Sequence, residues 1–238
     1  MEEEEETIWQ KKMELVNARQ IDDFTPVHYA CHRGNLKILE LLLANGGDLQ
    51  ATSKNGVTCL HLACVSGNLE LVKFLLNEHN FDVHIKSAAS GSQPIHVATS
   101  AGHQHIVEYL INECGADPCA EDKNQENCLT LAIKNRNRDV ALWLVATDKF
   151  ALDSIIKRRG FNYFAYALVK GQQVIANAIR EKLLVMGLAT PEVINQRIAT
   201  QTTALVTLFD LCLSRRYKAG LSFLLNVCKV DVPPQSKQ

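Results

Sequence analysis

The chain has 238 residues, 47% of them hydrophobic, so it can bury a sizeable core and is too apolar to be disordered over most of its length. Its formal net charge is −1, which does not suit a general nucleic-acid binder. The two halves nevertheless differ in sign, because residues 1–133 carry 9 basic and 19 acidic side chains and residues 134–238 carry 16 and 7. This distribution would orient a charged partner during its approach.

Residues 1–24 are predicted to form an acidic head and an N-terminal capping helix. Trp9, Met13 and Val16 fall at helical spacing and would form an apolar stripe that closes the end of the following structure. The glutamates at positions 2–6 would lie at the start of this helix, where its dipole favours negative charge. The acidic run is more simply explained as a solubilising tail than as a binding element.

Three blocks of six residues repeat along the next part of the chain. Each block carries a histidine at its fourth position, namely His28, His61 and His96, and the spacings between them are 33 and 35 residues. A period of this length predicts a stack of supersecondary units, because one helix pair cannot bury its apolar face alone. The blocks are Thr25–Ala30, Thr58–Ala63 and Gln93–Ala98.

A glycine follows each block at the same distance and separates it from a second apolar segment. Gly34, Gly67 and Gly102 suit a left-handed cap that ends one short helix before the next one begins. The second segments keep apolar residues in fixed columns, and one such column contains Leu42, Leu75 and Leu110. Each unit is therefore predicted to be a pair of helices. Turn-prone linkers such as the one around Asn55 and Gly56 join the units.

The T-P-L-H-x-A pattern and its period near 33 resemble the ankyrin repeat. The resemblance implies an all-α solenoid of stacked antiparallel helix pairs with turn or hairpin connections. Residues 25–160 follow the consensus clearly to moderately. About six units are expected, of which the last two or three are degenerate.

Fainter units follow the three clear ones. The fourth has Thr130 in the histidine position and Arg136 in the glycine position, so the end of its first helix is expected to differ. Degenerate repeats are predicted over residues 161–231, with a sixth unit starting near Thr207, and residues 232–238 are predicted to be a flexible tail. The order Thr190-Pro-Glu is typical of a helix start and predicts an inserted helix near residues 190–200.

The repeated threonines, histidines and glycines are interpreted as structural. The resemblance implies that the threonine and histidine tie each first helix to adjacent backbone. Equivalent positions of a solenoid lie one repeat apart, so the histidines cannot converge on one catalytic or metal centre. The structural residues are Thr25, His28, Gly34, Thr58, His61, Gly67, His96 and Gly102.

By the same resemblance, the two positions before each glycine face a concave surface that binds partners, and the turn tips add polar contacts. Arg33, Lys134 and Lys170 would meet acidic groups of the partner, and Val65 would supply an apolar contact. The predicted partner-binding residues are His32, Arg33, Lys54, Asn55, Val65, Ser66, Ser100, Ala101, Asn124, Gln125, Lys134, Asn135, Val169 and Lys170.

Several other functions are disfavoured by the sequence. The eight cysteines include no CxxC pair and mostly lie in apolar runs, which predicts buried thiols in a reducing compartment and no metal site. The acidic start is unlike a signal peptide, and the most apolar stretch, Ala204–Leu213, is interrupted by Asp210 and too short to span a membrane. Lys157–Arg159 lacks the interleaved aromatic residues of a nucleic-acid site.

The predicted function is a non-catalytic module or scaffold that binds another protein, acting as a monomer in the cytoplasm or nucleus without a cofactor. An alternative is a regulatory, targeting or assembly-chaperone subunit that docks on a larger enzyme complex by its degenerate C-terminal units. A third hypothesis is an enzyme with an unrecognised site. It has least support, since the sequence contains no phosphate-binding loop, no GxSxG and no HExxH.

Overall fold

The computed structural model divides into two compact units, an N-terminal unit of Met1–Cys128 and a C-terminal unit of Leu129–Gln238. The predicted tail at 232–238 and the basic cluster Lys157–Arg159 lie outside the residues that the structure describes. The described residues are 2–156, 160–190, 193, 197–199, 205–207, 212, 218–226 and 228.

The N-terminal unit is built from short helices that alternate between two rows. The first helices of the repeats, α2, α4 and α6, pack side by side with α4 in the middle, and each also packs against the helix that follows it. Helix α5 continues into a π-helical turn at Phe74–Glu78. The helices are α1 Glu2–Val16, α2 Pro26–His32, α3 Leu36–Ala44, α4 Cys59–Ser66, α5 Leu69–Lys73, α6 Pro94–Ala101 and α7 Gln104–Asn112.

The C-terminal unit continues the alternation of helices and adds two short antiparallel strand pairs. Strand β1 pairs with β2 and β3 pairs with β4, while α11 packs against both α9 and α10. The elements are α8 Cys128–Asn135, α9 Arg138–Ala146, β1 Ile155–Ile156, β2 Phe161–Asn162, α10 Tyr163–Val169, α11 Gln173–Val185, β3 Arg197–Ala199, β4 Leu205–Thr207 and α12 Lys218–Asn226.

The inserted helix predicted near residues 190–200 lies mostly outside the described residues, among which Val193 is helical and residues 197–199 form strand β3. The hydroxyl of Thr190 accepts a hydrogen bond from the N–H of Val193 at 3.4 Å, as a helix N-cap would. Residues 197–199 are nevertheless extended, because they pair with β4 and place Ile198 opposite Val206, two β-branched residues that favour strands. Thr207 ends β4 and Cys212 is helical, while residues 208–211, where the helix of the predicted sixth unit would begin, lie outside the described residues.

In the N-terminal unit, each first helix starts after a threonine or glutamine that is joined to a histidine. The backbone N–H of Thr58 donates to Nδ1 of His61 at 3.3 Å, and Nε2 of His61 lies 2.9 Å from the carbonyl oxygen of Ser92 in the next linker. In the third repeat, His96 makes the corresponding contact with the carbonyl oxygen of Ala120 at 2.8 Å. These bonds connect the start of a helix to backbone 24 to 31 residues farther along the chain.

The first helices end at residues with positive φ. Gly67 has φ 79°, and a Cβ at this position would lie 2.6 Å from the His103 ring, so both backbone conformation and space require glycine. Arg136 occupies the corresponding place after α8 with φ 63°. The expected difference at this helix end is not found. The N–H of Asn137 donates to the carbonyl of Ala132 at 2.9 Å, as His103 does to Ala98 in the third repeat.

Replacing Arg136 with glycine should therefore stabilise the protein. An L-residue in the left-handed region costs about 1 kcal/mol or more, and Arg136 is exposed. We expect Arg136→Gly to raise the free energy of unfolding by about 1 kcal/mol, as measured by urea denaturation. Arg136→Ala keeps the strained Cβ and is the matched control. An equal gain in both variants would contradict the assignment.

Helix α1 is fastened at its C-terminal end. The side-chain amide of Asn17 donates to the carbonyl of Gly46 at 2.9 Å, and its oxygen accepts from the N–H of Asp48 at 2.7 Å. Met13 lies against Gly46. Trp9, however, is 61% exposed, so the apolar stripe predicted to close this end of the stack is only partly covered.

Candidate partner-binding surface

A hollow of about 650 Å³ lies in the N-terminal unit between the first helices and the linkers. We call it the concave hollow. Its wall is formed by α2, α4 and α6 on one side and by the turn tips on the other. Its lining residues are Ile21, Asp22, Phe24, Tyr29, His32, Val57, His61, Leu62, Val65, Ser87, Ser90, Ser92 and Val97.

The hollow exposes large apolar side chains to solvent. Ile21 is 84% exposed, Tyr29 45% and Val65 36%, whereas the neighbouring Leu62 is nearly buried. Phe24 and Tyr29 form an aromatic pair with ring centroids 5.9 Å apart. Contiguous exposed apolar surface of this kind marks binding sites in soluble proteins, because its burial by a partner is favourable.

Serine hydroxyls give the hollow one polar wall. The Ser87 and Ser90 hydroxyl oxygens lie 2.7 Å apart, and the Ser90 hydroxyl donates to that of Ser92 at 2.8 Å. Asp22 and His32 add further polar groups to the lining. A mostly apolar concavity with a few fixed polar groups can hold a ligand and also orient it.

The turn tips beside the hollow are joined to one another by backbone hydrogen bonds. The N–H of Lys54 donates to the carbonyl of Asp22 at 2.9 Å, and the N–H of Ala89 donates to that of Asn55 at 3.2 Å. Lys123 continues the series with a bond from its N–H to the carbonyl of Ser90 at 2.9 Å. This series fixes the rim of the hollow through backbone groups, and Nζ of Lys123 adds a bond to the carbonyl of Ala88.

The structure separates the predicted partner-binding residues into several places. His32 and Val65 line the concave hollow, but Arg33 lies at the outer side of α2 and does not line it. Ser66 is half-buried, and its hydroxyl donates to the carbonyl of Ala63 at 2.8 Å. The other predicted residues of the N-terminal unit are exposed, and they are Lys54, Asn55, Ser100, Ala101, Asn124 and Gln125.

The predicted residues of the C-terminal unit lie at the ends of its first helices. Lys134 and Asn135 are exposed in the last turn of α8. Lys170 is exposed at the end of α10, with its Nζ 5.7 Å from the centroid of the Tyr166 ring, while Val169 is half-buried. They give this unit a basic set of side chains of its own.

Two of the motif histidines, His61 and His96, have no ring nitrogen free to act as a general base. Both ring nitrogens of His61 and His96 already face backbone partners. Burial lowers the pKa of His61 and of His96 below the ordinary 6.5, and the carbonyls that they face oppose this only in part. Among the described residues, no group of three or more His, Cys, Asp or Glu side chains could hold a metal ion.

Sequence reasoning missed the main apolar residues of the hollow. Tyr29, Leu62 and Val97 each directly follow the motif histidine, and all three line the hollow. The periodic apolar position after the histidine was therefore a usable signal. Ile21 and Phe24 belong to a linker and carry no periodic signal, so only the folded chain shows that they face the same space.

A family model described as ankyrin repeats (3 copies) matches residues 7–87 and 79–159. These matches cover more than half of the 238 residues, and the chain belongs to the ankyrin repeat family. The predicted resemblance and the all-α repeat fold are both confirmed.

Ankyrin repeats are generally protein–protein interaction modules and are typically non-catalytic. No curated protein matches the chain. Across the described helices, none is long and apolar enough to cross a membrane.

Proposed function

We propose that the protein is a non-catalytic interaction module whose concave hollow holds an apolar segment of a partner protein. The proposal rests on the volume of the concave hollow together with the exposure of the apolar side chains that line it, Ile21, Tyr29 and Val65. Pockets of about 300–1,000 Å³ suit a small number of anchoring side chains. Full burial of one Leu-sized or Phe-sized side chain contributes about 1.5–3 kcal/mol.

The polar groups of the hollow would set the orientation of the bound segment. The serines at positions 87, 90 and 92 can donate to or accept from the partner's backbone, and Asp22 favours a basic group at its end of the hollow. Lys134 and Lys170 form a separate basic surface on the C-terminal unit, which we propose meets acidic groups of the partner.

Charged substitutions in the hollow should weaken binding strongly. The double variant Ile21→Glu and Val65→Glu places carboxylates where apolar side chains are buried on binding, so we expect the partner's Kd to rise at least about tenfold. The partner is first recovered by affinity purification with the wild-type chain. Its Kd is then measured by calorimetry with each purified variant.

Val174→Glu is the matched control, since Val174 is 47% exposed in α11 of the C-terminal unit. It should leave the Kd unchanged. An unchanged Kd for the hollow variant, with its fold intact by circular dichroism, would contradict the proposal.

The alternative function, a regulatory, targeting or assembly-chaperone subunit, is supported by the end of α11. This helix has 13 residues where α9 has 9, and Leu184, Val185 and Met186 near its end are 52%, 86% and 47% exposed. Such a surface suits a fixed partner. Recovery of an enzyme at constant stoichiometry, unaffected by the hollow variant, would favour this alternative.

The remaining expectations also belong to the proposal. We propose that the protein acts as a monomer in the cytoplasm or nucleus and requires no metal or cofactor. All eight cysteines are free thiols, and five of them are buried, which supports a reducing compartment.

A further inference from the structure

The outer side of the first repeat exposes an apolar side chain at a repeat position whose side chains are completely buried in the next two repeats. Ile38 of α3 is 48% exposed, whereas its counterparts Leu71 of α5 and Ile106 of α7 are 0% exposed. These three residues occupy the third position after the start of the second segment in each repeat. Leu41, on the same helix as Ile38, is 64% exposed. The first repeat therefore presents a stacking face with nothing stacked on it within the described chain.

A cleft of about 450 Å³ lies over this face. We call it the end cleft. In the later repeats the corresponding space is filled by the preceding first helix, since α2 packs against α4 and α4 packs against α6. Within the described residues, α1 and a 3₁₀ turn at Ile21–Asp23 precede α2, and α1 is fastened at the Gly46–Asp48 loop. The lining residues of the end cleft are Gln20, Pro26, Tyr29, Ala30, Arg33, Asn35, Ile38 and Leu42.

Asn35 shows which group would complete the cleft. In the second repeat, the side-chain amide of Asn68 donates to the carbonyl of Gly34, at the end of the preceding first helix, at 2.8 Å. Asn35 holds the equivalent place, and its oxygen caps α3 by accepting from the N–H of Ile38 at 3.0 Å. Its NH₂ group has no acceptor among the described residues. The repeat thus supplies a donor for the C-terminal carbonyl of a helix in the end cleft.

Trp9 provides a second indication that a helix fits here. It precedes Leu42 by 33 residues, one repeat period, and so continues the column of Leu42, Leu75 and Leu110. Leu75 and Leu110 are 0% exposed, but Trp9 is 61% exposed. The family match begins at residue 7, within α1, so α1 has the place of a second helix in the array. A first helix beside it would cover Trp9.

We propose that the end cleft binds a two-turn amphipathic helix of a partner protein in the position of a first helix. The C-terminal carbonyls of this helix would meet the Asn35 amide and the Arg33 guanidinium, which favour the negative end of a helix dipole. Apolar side chains of the helix would cover Ile38 and Tyr29. A small residue would face Ala30, as the close packing of the chain's own first helices requires.

The charge of the N-terminal unit favours a basic partner over a second copy of this chain. All 9 basic and 19 acidic residues of positions 1–133 fall within this unit, which gives it a net charge of −10. Two copies that met through their end clefts would bring like charges together, which is unfavourable. A partner helix with basic residues on its exposed face would be attracted.

A tethered helix tests whether the end cleft accepts this ligand. The probe is residues 57–68 of this chain, which contain α4, with Cys59→Ala and Cys64→Ala, fused before Glu2 of the full chain by a short flexible linker. Tethering raises the effective concentration of the helix to about the millimolar range. Trp143→Phe leaves Trp9 as the reporter. We expect its emission to shift to shorter wavelength relative to the chain without the fusion.

The same fusion on an Ile38→Asp chain is the matched control and should give no shift, while Asn35→Ala should reduce it. Ile38 is half-exposed, so the control chain should stay folded, which circular dichroism checks. An equal shift in fusions with and without Ile38→Asp would overturn the proposal, as would no shift in either. Sedimentation of the unfused chain is the second measurement. A dimer that Ile38→Asp dissociates would overturn the proposed occupant in favour of a second copy.

Discussion

Lowering the pH from about 7.5 to about 5.5 should markedly destabilise the N-terminal unit, because its motif histidines stay neutral in the folded state. Burial is the main cause that lowers the pKa of His61 and of His96 below 6.5. Below this pH the unfolded chain binds protons that the folded chain does not, so stability is lost as the pH falls. Each histidine lowers the free energy of unfolding by up to about 1.4 kcal/mol per pH unit until the pH reaches its folded-state pKa. Above about pH 7 the effect vanishes.

Urea denaturation across this pH range measures the slope of unfolding free energy against pH. His61→Gln lowers stability at neutral pH, since the Ser92 carbonyl loses its partner, but it should reduce the slope by the share of one histidine. His84→Gln replaces an exposed histidine and is the matched control, with no expected change in slope. A slope that is the same in all three proteins would show that His61 does not resist protonation.

Leu71→Ala should be among the most destabilising single changes in the N-terminal unit. Leu71 is 0% exposed in α5, so truncation removes buried contacts and leaves a cavity, at a cost of about 2–5 kcal/mol. Ile38→Ala changes the counterpart in the first repeat, where the side chain is 48% exposed. We expect it to cost less than about 1 kcal/mol, because less buried surface is lost.

Urea denaturation at neutral pH compares the two variants with the wild-type chain. The two positions have the same place in the repeat, so each variant is the control of the other. Equal losses would contradict the exposed stacking face of the first repeat.

The repeat motif was sufficient to predict the local structure of the N-terminal unit. Thr58 directly precedes α4, and Gly67 ends it with positive φ, as the spacing predicts. The start and end of the helix can be predicted from the sequence because they depend on interactions between residues close together in the chain. The cap, the contact of its N–H with Nδ1 of the histidine three residues later and the glycine at the end all act within one helix.

Other features could not be read from the sequence, because they depend on neighbours distant along the chain. Ile38 and Leu71 look alike in sequence and differ in exposure only through what packs over them. Ile198 becomes part of a strand because Val206 lies opposite it. Arg136 adopts positive φ because the surrounding repeat geometry outweighs its own preference.

The candidate site shows the same limit. Val65 was predicted from its position before Gly67 and does line the hollow, but Arg33, chosen by the same rule, lies at the end cleft. The rule identifies positions within a repeat. It does not take into account that no helix packs on the outer side of the first repeat, so the equivalent position there borders the end cleft and not the concave hollow.

The hydrogen bonds between successive turn tips run from main chain to main chain, as from Lys54 to Asp22 and from Ala89 to Asn55. Such bonds do not depend on which amino acids supply them, proline donors excepted. Mutation can therefore diversify the exposed chemistry at Lys54 or Asn55 while the scaffold keeps its shape. A lineage carrying this protein could acquire a new binding preference by drift at these places, and a library randomised there should retain well-folded members.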